Sequence, residues 1–322
     1  MNNPKVMLLG ADGQLGSDWH SFLRQKRMDA AVYTSADLDI TDSRKLADAI
    51  GETDPGLIIN CAAFTGVDAA EDEPETAQRV NYDAAGHLAQ LAAGAGAILV
   101  HYSTDYVFSG SEADMVRYPS GFDEGHTPNP ANVYAHTKYA GERAIRSSAC
   151  DHLIIRTSWL CGASGHNFVR TMLRLGAERD EISVVNDQFG SPSYTGNVIH
   201  NTMALLQAGE KGLWHVTSRG IITWYDFAVE IMRQTGLGAR IVPVPTSGYP
   251  TRAFRPFYTK LSTRSLEDVA GARLVSWSEG LRELLGRMPE DVANSAAVKT
   301  GGDSGVSAGE TRHQRTSGKG SK

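Results

Sequence analysis

Short, unbroken apolar runs set the rhythm of this chain. They are Lys5-Val6-Met7-Leu8-Leu9, Ala30-Ala31-Val32-Tyr33-Thr34, Gly56-Leu57-Ile58-Ile59-Asn60-Cys61-Ala62-Ala63, Ala97-Ile98-Leu99-Val100-His101-Tyr102 and His152-Leu153-Ile154-Ile155-Arg156. Runs of this length without polar alternation read as central parallel strands buried on both faces. Amphipathic stretches lie between them, at 17–26, 43–50 and 74–94, followed by a helix that carries Tyr134 and Lys138. Thr41 or Asp42 is the expected cap of the second helix. Strands alternating with helices at this spacing specify an α/β fold, a doubly wound parallel sheet with right-handed crossovers.

After Asn167 the rhythm changes. Helices are expected at 168–177 and 196–206, from Thr223 onward and at 278–285, with strands at 182–185, 213–216 and 241–244. Pro243, Pro245, Pro250 and Pro256 break the chain around Arg252 and Arg255, which are candidate contacts for a charged substrate group. The pattern predicts residues 1–160 as a Rossmann-type dinucleotide-binding domain whose sheet is completed by later segments. Residues 161–288 are expected to form mainly a smaller α/β substrate-binding domain. Residues 289–322 collapse to Gly, Ser, Ala, Thr and scattered charges and read as a disordered tail.

Composition narrows the classes. A hydrophobic content of 41% and a charged content of 21% suit a globular enzyme. The 31 basic and 37 acidic residues give a net charge of −6 without a long basic block, so no nucleic-acid partner is expected. No run approaches a membrane span, and the first residues lead into a strand rather than a signal peptide, so a cytoplasmic location is expected. Cys61, Cys150 and Cys161 have no metal-type spacing and no disulfide framework. Asp123, Glu124 and His126 sit in a polar stretch, 109–130, that reads as a loop over the site, without a second suitably spaced histidine.

The chemistry concentrates where strands end. Gly10, Gly13 and Gly16, spaced three and three at the first strand–helix junction, allow a tight turn that brings helix N–H groups to a pyrophosphate. Asp37 and Asp39 stand at the distance of a ribose-binding acid but beyond the second strand, which leaves NADPH and NADH both open. Ala62 and Ala63 provide small residues at a third strand's end, against which a cofactor can lie. Asn81, within the expected long helix, is placed to brace the active-site strand. Thr104 ends the fourth run, and Tyr134 and Lys138 share one helix face at a spacing of four. An ammonium beside a phenol is expected to lower its pKa, so the three groups can polarise a carbonyl and exchange a proton with its oxygen. Trp159, at the end of the fifth run, is expected to wall a ligand.

These residues occur as ordered motifs: Gly-Ala-Asp-Gly-Gln-Leu-Gly at 10–16, Asn-Cys-Ala-Ala-Phe-Thr-Gly-Val-Asp at 60–68, Ser-Thr-Asp-Tyr-Val-Phe at 103–108, Tyr134-x-x-x-Lys138, Arg-Thr-Ser-Trp at 156–159 and Asp-Gln-Phe-Gly-Ser-Pro at 187–192. Together they resemble the dTDP-4-dehydrorhamnose reductase family of the extended short-chain dehydrogenase/reductase superfamily, from about Lys5 to Arg287. The resemblance implies reduction by NADPH, or NADH, of the C4 ketone of a dTDP-4-dehydro-6-deoxy-L-sugar, chiefly dTDP-4-dehydro-L-rhamnose. It implies that Gly13, Gln14 and Leu15 touch the cofactor pyrophosphate, that Asp39 and Ile40 border the adenine, and that Ala63, Phe64 and Thr65 line the nicotinamide side. Val67, Thr104, Asp105 and Trp159 would meet the sugar nucleotide. Tyr134 would donate the proton, and Lys138 would bind the nicotinamide ribose and tune Tyr134.

The sequence departs from the family at Ala135-His136-Thr137, where Gly-Arg-Ser is commoner, and at Ser193-Tyr194, where Thr is usual after the proline. Some members join through a magnesium held by glutamates; no matching glutamates stand out, so no metal is expected, and the chain is expected as a monomer or homodimer. The rival readings are a reductase for a 6-deoxytalose- or streptose-type ketosugar, a nucleotide-sugar epimerase, and a non-catalytic subunit like the regulatory subunit of methionine adenosyltransferase.

Overall fold

In the computed structural model, which describes residues 4–288, the apolar runs become the strands of one sheet. The first half runs β1 (Val6–Leu9), α1 (Gln14–Gln25), β2 (Ala30–Tyr33), α2 (Ser43–Thr53), β3 (Leu57–Asn60), α3 (Val67–Asp72), α4 (Pro74–Gln78), a π-helical turn (Arg79–Asp83), α5 (Ala84–Ala95), β4 (Ile98–Thr104), α6 (Glu112–Arg117), α7 (Val133–Arg146) and β5 (His152–Thr157). The second half runs β6 (Leu160–Cys161), α8 (Phe168–Glu178), β7 (Glu181–Val185), β8 (Phe189–Gly190), β9 (Ser193–Tyr194), α9 (Thr195–Ala208), β10 (Gly212–His215), β11 (Ile222–Thr223), α10 (Trp224–Thr235), β12 (Arg240–Val244), α11 (Arg264–Glu267) and α12 (Trp277–Leu285).

The main sheet has the order β10-β5-β4-β3-β1-β2, and every neighbouring pair is parallel. Its side chains alternate between two cores, as the period of two requires. Val6, Leu8, Leu57, Ile59, Val100, Leu153 and Ile155 face α1 and α9. Met7, Leu9, Ile58, Leu99 and Ile154 face α2, α5 and α7. Helices on both faces explain why the strands carry no polar alternation. The order reverses between β1 and β3, and in such sheets ligands bind outside the carboxyl ends of the strands at that switch.

A third core joins α8, β7, α10 and α12 through Met172, Ile182, Phe227, Ile231 and Leu281. There β12 pairs in parallel with β7 over five residues.

Three local expectations are corrected. The helix expected at 74–94 is interrupted: Pro74 opens a short helix, and the π turn at Arg79–Asp83 separates it from α5. Such turns insert a residue into the helical ladder and re-aim side chains, here Asn81. The stretch 109–130 is not only loop, because Ser111 and Asp114 form a capping box that starts α6. Its ends are pinned by bridges Gly110–Tyr258 and Phe122–Leu261 over a core of Val107, Phe108, Phe122, Tyr258 and Leu261. The first helix begins at Gln14, three residues earlier than its apolar pattern suggested. Asp42 is the cap of α2, accepting from the Lys45 N–H. The tail expected at 289–322 lies outside the described residues.

Candidate active site

The glycine turn joins β1 to α1 at the switch point. Gly10 has φ +72°, and a Cβ there would lie 2.6 Å from the Ala62 nitrogen; one on Gly16 would lie 2.0 Å from the Gly10 carbonyl oxygen. Only glycine permits either approach. Gly13 caps α1 without any side-chain acceptor, and the first turn holds no acid. By contrast α2, α7, α8, α10 and α12 all have side-chain caps. The start of α1 therefore keeps free N–H groups and the positive end of its dipole, a fit for a dinucleotide pyrophosphate.

The flanking residues fix this turn. Asp12 accepts from the Ser35 N–H and hydroxyl at 3.0 and 2.6 Å, tying the turn to the segment after β2. The Gln14 side chain turns away from the helix start. It donates to Leu160 O and accepts from Gly162 N and Asn167 Nδ2, leaving its main chain at the helix entrance. Asp37 closes a turn on Thr34, and Asp39 closes one on Thr41, so neither acid caps a helix. Ile40 is buried beside Leu38 in the core under β1.

After β3, Ala62, Ala63 and Phe64 are partly exposed and Thr65 is exposed. Asn81 grips this segment, accepting from the Phe64 N–H at 2.9 Å and donating to Phe64 O at 3.0 Å and Thr137 Oγ1 at 3.1 Å. It braces the β3–α3 loop against α7, not the active-site strand β4 as the sequence suggested, because the π turn aims it there.

Thr104 is the last residue of β4. Its buried hydroxyl accepts from the Tyr106 N–H at 3.1 Å and donates to Asp105 Oδ1 at 3.2 Å. Tyr134 lies in the first turn of α7, whose cap, Asn132, accepts from the Ala135 N–H while also donating to Phe254 O. The Tyr134 ring keeps a partly exposed edge, with Tyr106 packed against it edge to face at 6.2 Å. Its phenol end is enclosed, and the Thr104 hydroxyl is the nearby group that pulls its pKa down.

Electrostatics reverse one expectation. Burial pushes the Tyr134 phenol up to about 12, with the Thr104 hydroxyl pulling down and Asp105 adding to the rise. The Lys138 ammonium does not lower it. Lys138 Nζ donates to Tyr102 O at 2.7 Å and lies 3.3 Å from His101 Nε2, both on β4, and burial draws it down to about 8. Burial likewise raises the Asp105 carboxyl to about 6, against hydroxyls of Thr259, Ser158 and Thr104.

A cavity of about 820 Å³ reaches this region through Tyr106, which packs on Tyr134, and is lined by Val67, Asp68, Gln188, Trp224 and Arg255 among others; Thr104, Tyr134 and Lys138 are not on its lining. Trp159 is not on that lining. It sits at φ +46° and stacks on Trp224 with centroids 3.6 Å apart and planes 9° off parallel. Trp224, which sequence reasoning passed over, presents the indole to the cavity; the Thr223-x-x-Asp226 capping box that starts α10 is the signal that places it. Asp105 is turned inward, accepting from the Ser158 hydroxyl at 2.7 Å. Arg255 pairs with Asp68 at 2.7 Å, and Arg252 pairs with Asp72. Asp123 pairs with His126 at 2.9 Å. Among the described residues no cluster of three or more His, Cys, Asp or Glu is arranged to hold a metal, and no helix is long and apolar enough to cross a membrane.

Comparison with known proteins adds an independent line. The chain is 39% identical over 281 residues to the spore coat polysaccharide biosynthesis protein SpsK of Bacillus subtilis, covering 87% of this chain and 96% of that protein. It is 36% identical over 299 residues to the dTDP-4-dehydrorhamnose reductase of Escherichia coli K12, covering 88% and 97%. A crystal structure of dTDP-4-dehydrorhamnose reductase from Bacillus anthracis in complex with NADP superimposes with a TM-score of 0.84 at 37% identity, covering 89% of this chain and all of that one. The family described as RmlD substrate binding domain matches residues 4–289, which takes in every residue the structure describes, and the chain belongs to that family.

Proposed function

We propose that this protein is an NADPH-dependent reductase that converts dTDP-4-dehydro-L-rhamnose to dTDP-L-rhamnose, in deoxysugar biosynthesis. The observation that carries the reading is one juxtaposition. An uncapped helix start after β1, the neighbouring Thr104 and Tyr134 side chains after β4, and the Trp224-walled cavity that Val67 and Tyr106 border all lie toward the carboxyl edge of one parallel sheet. Relatives of this length and identity are named for the same reaction.

The chain's own residues divide the work. Main-chain N–H groups of Gln14 and Leu15 hold the pyrophosphate, and Gly10 and Gly16 keep the turn tight enough to allow it. Gly13, whose own N–H donates to Gly10 O at 3.1 Å, lies against the pyrophosphate. Asp39 and Ile40 border the adenine, and Ala62, Ala63, Phe64 and Thr65 line the nicotinamide side. When bound, NADPH supplies the hydride that the C4 carbon receives. Tyr134 donates its proton to the C4 oxygen, and Thr104 hydrogen-bonds the same oxygen. A proton donor must hold its proton until transfer, and a phenol raised to about 12 does so at neutral pH. Lys138 binds the nicotinamide ribose and moves a proton toward the phenolate that donation leaves. Val67, Asp105 and Trp159 shape the sugar-nucleotide side, Trp159 by backing Trp224.

The test is stoichiometric. Added dTDP-4-dehydro-L-rhamnose should oxidise an equal amount of NADPH and yield dTDP-L-rhamnose by NMR. Conversion of a sugar nucleotide without net cofactor loss would favour an epimerase. No oxidation with any dTDP-4-keto-6-deoxysugar would overturn the reductase reading in favour of a non-catalytic subunit.

A further inference from the structure

The Gln14 side chain joins two parts of the molecule that lie far apart in the chain. Its main chain stands at the start of α1, and its amide reaches the segment between β6 and α8, 146 to 153 residues later. Nε2 donates to Leu160 O at 2.9 Å, and Oε1 accepts from Gly162 N at 3.1 Å and from Asn167 Nδ2 at 2.7 Å. A carbonyl only accepts and a backbone N–H only donates, so Leu160 and Gly162 fix which way the Gln14 amide points.

Asn167, 6% exposed, is fixed in the same way. Its Oδ1 accepts from the Arg170 N–H at 3.1 Å and caps α8. Its NH2 must then face Gln14 Oε1 and Gly162 O, the latter at 2.9 Å. Every contact of this clamp pairs a donor with an acceptor. Glycines let the segment come so close, since a Cβ on Gly162 or Gly165 would approach the Gln14 side chain to 3.0 or 3.1 Å.

The far side of the clamp is cavity wall. His166, Asn167, Phe168 and Thr171 line the cavity, and the Phe168 ring packs on Trp224 at 4.7 Å. Gln14, Leu160 and Gly162 are not on that lining. Arg170 Nη1 donates to Ala163 O at 2.8 Å, which ties α8 to the same segment. Segment and helix start form one unit, and Gln14 fastens that unit to the glycine turn.

Taking the cavity as the sugar-nucleotide site of the function proposed above, we propose that Gln14 and Asn167 are positioning residues whose amide pair holds the Phe168–Trp224 wall where the sugar nucleotide is received. Gln14 then serves both ligands. Its main chain meets the cofactor pyrophosphate, and its side chain, which touches neither ligand, sets the affinity for the dTDP part of the substrate.

The test uses the full chain without cofactor, titrated with dTDP in a calorimeter. Gln14→Met keeps the side chain's length and the main-chain N–H, but its thioether donates nothing and accepts only weakly. Asn167→Asp keeps the α8 cap and sets a carboxylate oxygen against the oxygens of Gln14 and Gly162. Each should weaken dTDP binding about tenfold or more, as loss of a supporting contact does when it shifts a binding surface. The double variant should lose no more than the more impaired single one, because both break the same contact. A purely structural contact would lower the urea midpoint and leave the dTDP affinity of the folded protein where it was. Unchanged affinity in Gln14→Met, or losses that multiply in the double variant, overturns the proposal.

A second measurement needs no substitution. The Gly162 N–H donates to Gln14 outside the cavity, so dTDP should slow its hydrogen exchange by favouring the intact clamp. Unchanged exchange overturns the proposal even where a variant fails to fold. No dTDP binding by the unaltered protein would overturn the sugar-nucleotide reading together with this one, whereas binding that survives Gln14→Met overturns this one alone.

Discussion

Glu142 and Arg156 form a buried two-pronged ion pair one helical turn beyond Lys138, with Nε–Oε1 at 2.9 Å and an Nη–Oε2 contact at 2.7 Å. Ser103 donates to the same carboxylate at 2.5 Å, and the guanidinium lies 5.3 Å over Phe108. Tyr134, Lys138 and Glu142 therefore make one stripe of α7, spaced by four, with its charged foot anchored in β5. Arg156→Met would leave Glu142 buried without a partner. Removing one partner of such a pair costs about 3–5 kcal/mol, whereas replacing both with apolar residues costs far less. Urea unfolding should show that loss for Arg156→Met and a smaller one for Arg156→Met with Glu142→Leu. Equal losses would mean the pair is not coupled.

Tyr134→Phe removes the donor while keeping the ring that packs on Tyr106. Turnover with NADPH and ketosugar should fall about 10²–10⁴-fold, the usual worth of a positioned acid. The melting temperature and the NADPH dissociation constant should change little. Near-normal turnover would remove Tyr134 from the chemistry.

Much of this was legible in the chain because strands buried on both faces leave no room for polar alternation. The runs ending at Leu9, Ala63 and Tyr102 lie within three residues of the ends of β1, β3 and β4, so they mark the sheet's carboxyl edge without any structure. Gly10 and Gly16 were legible for a related reason, since the close approaches they make exclude every other residue.

What stayed hidden depends on long-range packing. A spacing of four put Tyr134 and Lys138 on one face, but periodicity cannot say that the Lys138 amine binds a strand carbonyl instead of facing the phenol. The π turn at Arg79–Asp83 has no local sequence signal, so the target of Asn81 was misjudged. Trp159 sits at the strand edge as expected, yet its positive φ turns it onto Trp224, which is 65 residues later in the chain.

Asp105 gives the fold a pH dependence of definite sign. Its carboxyl is raised to about 6 by burial from an ordinary 3.8. Between about pH 4 and pH 6 the unfolded chain releases this proton while the folded chain keeps it. Stability from this group is therefore full below pH 4 and is lost as pH rises through 6, by roughly 3 kcal/mol. Asp105→Asn retains the hydroxyl contacts without the buried charge. Relative to the unaltered protein, the variant should gain stability at pH 7.5 compared with pH 4, measured by urea unfolding at both. A difference of the opposite sign would show that Asp105 is stabilised as the anion.

The glycine turn separates folding from binding. A Cβ on Gly16 would press to 2.0 Å from a backbone oxygen that cannot yield, whereas one on Gly13 meets nothing nearer than 3.3 Å. Gly13 also has φ −74° and ψ 167°, a conformation open to any residue. Gly16→Ala should therefore destabilise the fold by about 1–3 kcal/mol, as overpacking does. Gly13→Ala should unfold nearly as the unaltered protein does, yet its methyl would crowd the free N–H groups at the start of α1. Calorimetric titration should find NADPH bound about tenfold more weakly or worse, a loss of about 1.4 kcal/mol. Unchanged NADPH affinity in Gly13→Ala would place the pyrophosphate away from this helix start, and with it the orientation assigned to the whole cofactor.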